Sequence, residues 1–286
     1  MTATAILAVL LAPSLARAAP QAAAVQQMQP VQAQAVQAAQ AKGQPAQPPR
    51  KATPEQRAEA DRLDPLSRAT FWNNEVQVDP TDAVAGVHLA IALRALGQYS
   101  AAVEAASRVL VIDPKNYDAL LETGRAYIGS GKGFYAIDPL QKAQAIQPRD
   151  WRTLSLLGIA YAQVKRTDDA QAAWRQALQL SPDNPSVLAN MAMELAATGD
   201  AAGAETLLRR AVAQPGAELI VRQDLSLVLG LEGKFAEAEQ ILRRDLPPEQ
   251  ADADLAYLHA AASRQAAPVS NTQQPAHDWN GLKAGG

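Results

Sequence analysis

The chain of 286 residues contains no cysteine and few aromatic residues. Without cysteine it forms no disulfide, no thiolate metal site and no thiol nucleophile, and no N-terminal cysteine can carry a lipid. Aromatic residues make up 5% of the chain, whereas 48% of the residues are hydrophobic, and alanine is the most frequent of these. Small apolar side chains favour closely packed helices over sheets. We therefore expect an all-α fold.

The sequence also lacks a basic excess and any compact motif for catalysis or cofactor binding. The formal net charge is −3, so no positive field follows a phosphate backbone, and nucleic acid is not an expected partner. His88, His259 and His277 are far apart in sequence, which argues against a metal site. The stretch GSGKG at 129–133 lacks the first glycine and the final Ser or Thr of a phosphate-binding loop. We expect a non-enzymatic protein without cofactor or metal; the alternative is an enzyme whose site is dispersed.

A long hydrophobic run is missing as well. The apolar run near the N-terminus has about fourteen residues and is interrupted by Pro13, whereas a membrane-spanning helix needs roughly 20. Ala16, Arg17 and Ala18 match the small-x-small pattern of a signal-peptidase site. We interpret residues 1–18 as a signal peptide, which predicts a periplasmic protein; a transmembrane anchor is the alternative interpretation.

Two further segments have little apolar surface to bury. Residues 19–52 consist almost entirely of Ala, Gln, Val and Pro, and residues 267–286 have a similar composition apart from Trp279. Such composition does not offset the entropy lost on ordering, so we expect a disordered linker and a disordered tail.

Between these segments the sequence repeats with a period of 34 residues. A column of turn-forming residues reads Gly97, Gly131, Lys165, Gly199 and Gly233. A column of alanines reads Ala102, Ala136, Ala170, Ala204 and Ala238. A column of small residues reads Ala90, Gly124, Gly158, Ala192 and Ser226. Prolines recur at Pro80, Pro114, Pro148 and Pro182, and the next one is displaced by one residue, to Pro215.

These columns predict two antiparallel helices in each period. Glycine suits a left-handed turn between the helices, small residues allow a close helix crossing, and proline ends each period. We expect an N-terminal helix and half repeat at 53–82, five repeats at 83–251 and a capping helix at 252–266. Pro139 falls within a second helix, so we expect that helix to begin late, with Asp138 as its N-cap, or to be kinked.

The third period, residues 151–184, resembles the tetratricopeptide repeat. The matching positions are Leu154, Leu157, Gly158, Tyr161, Ala170, Trp174, Ala177 and Pro182. The resemblance implies a solenoid, a right-handed superhelix of antiparallel helix pairs that binds protein partners.

Residues 221–258, together with 64–82, resemble the tetratricopeptide protein of the Tad (Flp) pilus assembly system, TadD. That family implies a periplasmic protein at the outer membrane that assists secretin assembly. Members are often lipoproteins, and this chain has no cysteine for a lipid, so any membrane association would occur through a partner. The alternative is a periplasmic chaperone for another secretion or cytochrome maturation system.

The first helices of the repeats are expected to line a concave groove. One residue past the small column lie Ile91, Arg125, Ile159, Met193 and Leu227. One turn earlier lie Val87, Leu121, Ser155, Ala189 and Gln223, and Arg94, Ile128 and Arg152 surround them. An apolar surface of this kind is typical of a binding site. We expect the groove to hold an apolar segment of a protein partner, such as a secretin, with Arg125 pairing with an acidic residue of that partner.

Overall fold

The computed structural model describes residues 50–266. The predicted signal peptide, nearly all of the predicted linker and the predicted tail lie outside this range. Within it, thirteen α-helices and no strands are present, so the expected all-α fold is confirmed. The chain divides at Val221 into two compact units, which are described separately below.

The first unit contains ten complete helices and the start of an eleventh. Their bounds are α1 Pro54–Ala60, α2 Pro65–Val78, α3 Ala83–Ala95, α4 Tyr99–Ile112, α5 Tyr117–Gly129, α6 Gly133–Ile146, α7 Trp151–Gln163, α8 Thr167–Leu180, α9 Pro185–Ala197 and α10 Ala201–Val212. Helix α11 spans Leu219–Leu231 and crosses the division between the units; the second unit continues with α12 Phe235–Asp245 and α13 Pro248–Ala266. From α3 onward, the helices follow one another in pairs at the predicted interval.

A left-handed residue separates the two helices of each pair. The φ angles at the turn column are 72° at Gly97, 72° at Gly131, 64° at Lys165, 95° at Gly199 and 77° at Gly233. A Cβ added at any of these four glycines would meet no atom within 4 Å. The backbone conformation, and not crowding, therefore selects glycine here.

The first helices of four pairs begin with the same kind of cap. The side chains of Asp82, Asn116, Asp150 and Asn184 each accept a hydrogen bond from a backbone N–H of the helix that follows. These residues are also spaced by 34 positions, a column that the sequence analysis overlooked. Each cap satisfies a helix donor that would otherwise have no partner.

The alanine and small-residue columns lie where the helices of a pair cross. All five alanines of the alanine column are fully buried. A Cβ added to Gly124 would lie 2.5 Å from Leu140 Cγ, and one added to Gly158 would lie 2.2 Å from Trp174 Nε1. These contacts are too close for any larger residue, so small residues set the distance between the helices.

The N-terminal end of the first unit is held by ion pairs. Arg57 donates to Glu75 Oε2 from Nε at 2.8 Å and to Asp82 Oδ2 from Nη2 at 2.7 Å. Lys51 Nζ lies 2.5 Å from Asp79 Oδ2, and the Ala52 N–H donates to Glu75 Oε1 at 2.9 Å. The folded array therefore includes residues 51 and 52, which the sequence analysis assigned to the end of the linker.

Two other sequence-based boundaries were wrong. Helix α6 runs from Gly133 to Ile146 and includes Pro139, so the late start is excluded, and the alternative of a kink at Pro139 stays a prediction. Asp138 is not its N-cap but accepts a hydrogen bond from Lys142 Nζ at 2.7 Å. Pro139 is buried, and Leu140 beside it belongs to the core cluster of the second repeat. The final helix begins at Pro248 and not at 252, because proline is well suited to a first helical position.

The second unit packs α12 against α13. Phe235 stacks on His259 with ring centroids 4.1 Å apart, and a Cβ at Gly230 would lie 2.9 Å from Leu258 Cδ2. Arg222 Nε donates to Asp245 Oδ2 at 2.6 Å, which joins α11 to the end of α12.

Candidate peptide-binding surface

The first helices α3, α5, α7 and α9 lie side by side in the first unit. Each packs against the second helix of its own pair, and in addition α3 packs against α5, α5 against α7 and α7 against α9. Within residues 50–221, the contacts between successive second helices are fewer than those between successive first helices. In a curved stack, the helices that contact their equivalents in neighbouring pairs lie on the inner side of the curve. The four first helices therefore line this side, which we call the inner face.

The predicted groove residues separate into two rows on this face. Ile91, Arg125, Ile159 and Met193 are partly exposed, one on each of the four helices. Three of these four side chains are apolar, and each lies at the same position of its own repeat. They form an accessible surface that extends over four consecutive helix pairs.

The row one turn earlier is not a lining of the groove. Val87, Leu121, Ser155 and Ala189 are all buried. Val87 packs with Val109 and Ala119 in a core cluster that joins the first pair to the next. The side chains of this row face the neighbouring helices, so their assignment to the accessible surface was wrong. They form the buried layer beneath that surface.

Ser155 illustrates this supporting role. Its carbonyl oxygen accepts a hydrogen bond from Trp174 Nε1 at 3.1 Å, and its Oγ accepts one from Asn190 Nδ2 at 3.3 Å. The serine thus connects α7 with both α8 and α9. The buried hydroxyl group is engaged by Asn190, so it stabilises the stack and is not free to contact a ligand.

Arg125 is already paired within the chain. Glu122 is only 3% exposed, and its two oxygens accept from different arginines: Oε2 from Arg94 Nε at 2.8 Å and Oε1 from Arg125 Nη1. Arg125 is therefore engaged by a carboxylate of its own chain, which the sequence analysis did not anticipate, and its expected pairing with an acidic residue of a partner stays a prediction. Arg94 comes from α3 and Glu122 from α5, so the bridge also joins adjacent repeats.

Arg152 is also engaged at its own helix start. Its guanidinium donates from Nη2 to Asp150 Oδ2 at 2.5 Å, and Tyr117 Oη donates to the same oxygen at 2.6 Å. Burial alone would raise the pKa of Asp150, but the hydrogen bonds from Arg152 and Tyr117 outweigh it and lower the pKa to about 2. Arg152 itself is exposed and lies at the edge of the inner face.

The remaining predicted residues lie in different settings. Ile128 is partly exposed, and its carbonyl oxygen accepts from Gln163 Nε2 at 3.0 Å. Leu227 and Gln223 are partly exposed but belong to the second unit. The surface described here therefore consists of residues from α3, α5, α7 and α9 alone.

Sequence reasoning missed Glu122, which organises the two arginines. The only local signal was its position three residues before Arg125 on the same helix, a spacing that brings opposite charges together. It also missed an exposed aromatic pair on α6: Phe134 is 72% exposed and Tyr135 is 60% exposed. Their rings are in edge contact, 5.6 Å apart.

The described residues offer little for metal or membrane chemistry. No group of three or more His, Asp or Glu side chains between 50 and 266 is arranged to hold a metal ion. In the same range, no helix combines the length and the apolar character needed to cross a bilayer.

Comparison with known proteins agrees with this architecture. Residues 151–184 match the family model of the tetratricopeptide repeat. A comparison with curated protein sequences returned no match.

Solved structures of several tetratricopeptide repeat proteins resemble the chain. A thermophilic tetratricopeptide repeat protein of Thermus thermophilus is 23% identical with a TM-score of 0.54, over 63% of this chain and 97% of that chain. A tetratricopeptide repeat protein of Parabacteroides merdae is 14% identical with a TM-score of 0.56, over 75% and 92%. PilF of Pseudomonas aeruginosa is 19% identical with a TM-score of 0.53, over 72% and 91%.

At these identities the likeness concerns the fold. The fold is a tetratricopeptide repeat solenoid of antiparallel helix pairs, a scaffold that generally serves protein–protein interaction and not catalysis.

Proposed function

We propose that this protein is a non-enzymatic periplasmic adaptor whose inner face binds a peptide segment of a protein partner. One observation carries the proposal: Ile91, Ile159 and Met193 remain partly exposed at equivalent positions on α3, α7 and α9. The buried row beneath them already supplies the packing between helices. Ile91 and Ile159 pack against core clusters with part of their surface. The part that stays exposed recurs at equivalent positions, and repeated apolar exposure of this kind marks a surface for a partner.

We further propose that the partner belongs to a Tad/Flp-type pilus, most directly its secretin. The support is the resemblance of residues 64–82 and 221–258 to the tetratricopeptide protein of that system. The fold shared with PilF fits an adaptor of this kind. Without a lipidated cysteine, the protein would associate with the outer membrane through its partner. The second candidate is a chaperone for another periplasmic secretion or cytochrome maturation system.

The test is capture of the purified secretin by the tagged full chain. The double variant Ile159→Asp with Met193→Asp places two charges on the inner face, and we expect it to lose capture. The matched control is Val111→Asp with Phe134→Asp, which adds the same two charges at exposed apolar positions on second helices, where the residues are 82% and 72% exposed. Circular dichroism establishes that both variants remain helical.

Two outcomes would contradict the proposal. Undiminished capture by the folded inner-face variant would exclude the inner face as the binding site. Loss of capture by both double variants would show that added charge, and not the location, is responsible. Cell fractionation against a periplasmic marker tests the proposed compartment independently.

A further inference from the structure

The bridge formed by Arg94, Glu122 and Arg125 carries more positive charge than its own folding requires. Glu122 is 3% exposed, and one arginine would be enough to neutralise its carboxylate. Two arginines approach it, from α3 and from α5. The group of three side chains therefore has a net charge of one positive unit.

That surplus charge is accessible from the inner face. The side chains of Arg94 and Arg125 are 32% and 30% exposed. Arg94 uses Nε and Arg125 uses Nη1 to contact Glu122, which leaves further N–H groups on each guanidinium. In the part of the chain that the structure describes, no other carboxylate pairs with either arginine.

The buried glutamate also fixes the two guanidiniums in place. Each arginine is held by a short charge-assisted hydrogen bond, so little side-chain entropy remains to be lost when a second anion binds. Aliphatic residues occupy neighbouring positions on the same helices and on the next one. Ile91 lies one turn before Arg94 on α3, and Ile128 lies one turn after Arg125 on α5. Ile159 occupies the position equivalent to Arg125 on α7.

Resting on the proposed function, we propose that Arg94 and Arg125 together bind an acidic side chain of the partner segment, between aliphatic side chains of the same segment. The partner's carboxylate accepts hydrogen bonds from the N–H groups that Glu122 leaves unused. The aliphatic neighbours of that acidic residue contact Ile91, Ile128 and Ile159. The partner's charge complements the surplus positive charge, which makes the pairing selective for an acid over an amide or a base.

The experiment uses a random decapeptide library displayed on phage and selected against the full chain. Selected peptides are expected to carry Asp or Glu next to aliphatic residues. Changing that residue to its amide in a selected peptide is expected to weaken binding about tenfold, the size typical of a lost charge-assisted hydrogen bond. Binding is measured by fluorescence anisotropy of the synthetic peptide.

Two variants then assign the effect to the bridge. The triple variant Arg94→Met, Glu122→Met and Arg125→Met removes the whole bridge without leaving a buried unpaired charge, and it should abolish the difference between the acid and amide peptides. Its control is Arg108→Met on α4, which changes the net charge equally. The variant Glu122→Gln leaves both arginines without a protein carboxylate and should enlarge the difference. Its control is Glu104→Gln, an exposed acid on α4.

The possible results distinguish the preference for an acidic residue from the proposed function, which is peptide binding at the inner face. If selected peptides depend on Ile159 and Met193 but show no acidic preference, the inference is overturned and the proposed function stands. An acidic preference that survives in the triple variant also overturns the inference. If binding does not depend on Ile159 and Met193, or no peptide is selected, the proposed function fails as well.

Discussion

The indole of Trp174 lies directly over the backbone of Gly158. A Cβ at residue 158 would lie 2.2 Å from Trp174 Nε1 and 2.4 Å from Cε2. The largest buried side chain of the third repeat is thus accommodated by the absence of a side chain on the facing helix. The fourth repeat has Ala192 and Leu208 in the same two columns, both buried. The fourth repeat thus combines a slightly larger residue in the first column with a smaller one in the second.

We expect Gly158→Ala to lower the free energy of unfolding by about 1 to 3 kcal/mol, because the new methyl group overlaps the indole. The double variant Gly158→Ala with Trp174→Leu reproduces the combination found in the fourth repeat. It should be destabilised by less than the sum of the two single variants. Urea denaturation of all three variants and the wild type gives the coupling energy. Additive effects would mean that the two positions do not share one space.

Lysine at position 165 should make the folded protein less stable than glycine would. Its φ of 64° is left-handed, whereas the equivalent residue in each of the other four repeats is glycine. We expect Lys165→Gly to stabilise the protein by about 0.5 to 1 kcal/mol, because the steric cost of the left-handed conformation is removed. Lys132→Gly is the control, since Lys132 has a φ of −100° and should gain nothing. The midpoint of thermal unfolding measures both, and a lower midpoint for Lys165→Gly would refute the argument.

Asp150 should make the protein more sensitive to acid. Its pKa in the folded state is lowered from 3.8 to about 2, so the stability it contributes is complete above about pH 4 and is lost as the pH falls toward 2. We expect Asp150→Asn to reduce the loss of stability between pH 4 and pH 2 by about 1 to 2 kcal/mol. The exposed Asp138 provides the control variant Asp138→Asn. Chemical denaturation at a series of pH values makes the measurement, and an unchanged pH slope would contradict the prediction.

Asp224, in the second unit, should have the opposite effect on the pH dependence of stability from that of Asp150. Burial raises its pKa from 3.8 to about 6. The folded state then holds its proton more tightly than the unfolded state, so stability falls as the pH rises from about 4 to 6 and stays lower above that. We expect Asp224→Asn to raise the free energy of unfolding at pH 7 by about 1 to 2 kcal/mol and to have little effect at pH 4. Glu249→Gln on α13 is the exposed control. Equal effects of Asp224→Asn at both pH values would show that the residue acts through packing and not through its charge.

The repeat architecture could be predicted from spacing alone, because each column depends on contacts that recur within every pair. Glycine at 97, 131, 199 and 233 is required by one local backbone angle, and alanine at 102 and its equivalents by one helix crossing. The N-cap residues were equally visible at the same spacing but were not sought. Local rules repeated at a fixed interval are readable without knowing how the repeats stack.

The surface was less predictable because it depends on the angle between successive repeats. Whether Val87 faces solvent or the next helix cannot be deduced from its position on α3, and the structure shows it buried. The pairing of Arg94 with Glu122 joins residues 28 positions apart on different repeats. Charges that meet across a stack leave no periodic signal in one sequence, so the apolar row and its arginines were identified, whereas Glu122, which pairs with both arginines, was not.

The two buried indoles of Trp72 and Trp174 also allow unfolding to be followed separately at two places in the first unit. Trp72 donates to Asp61 Oδ1 at 3.2 Å and contacts the ring of His88 at a tilt of 38°, with centroids 4.4 Å apart. Trp174 donates to the carbonyl oxygen of Ser155. A chain that keeps only Trp72 reports the melting of the N-terminal end by its emission, and one that keeps only Trp174 reports the middle of the first unit. If the two unfolding curves coincide, the repeats between Trp72 and Trp174 unfold as one cooperative unit. If the curve of Trp72 has the lower midpoint, the N-terminal end unfolds before the middle of the first unit does.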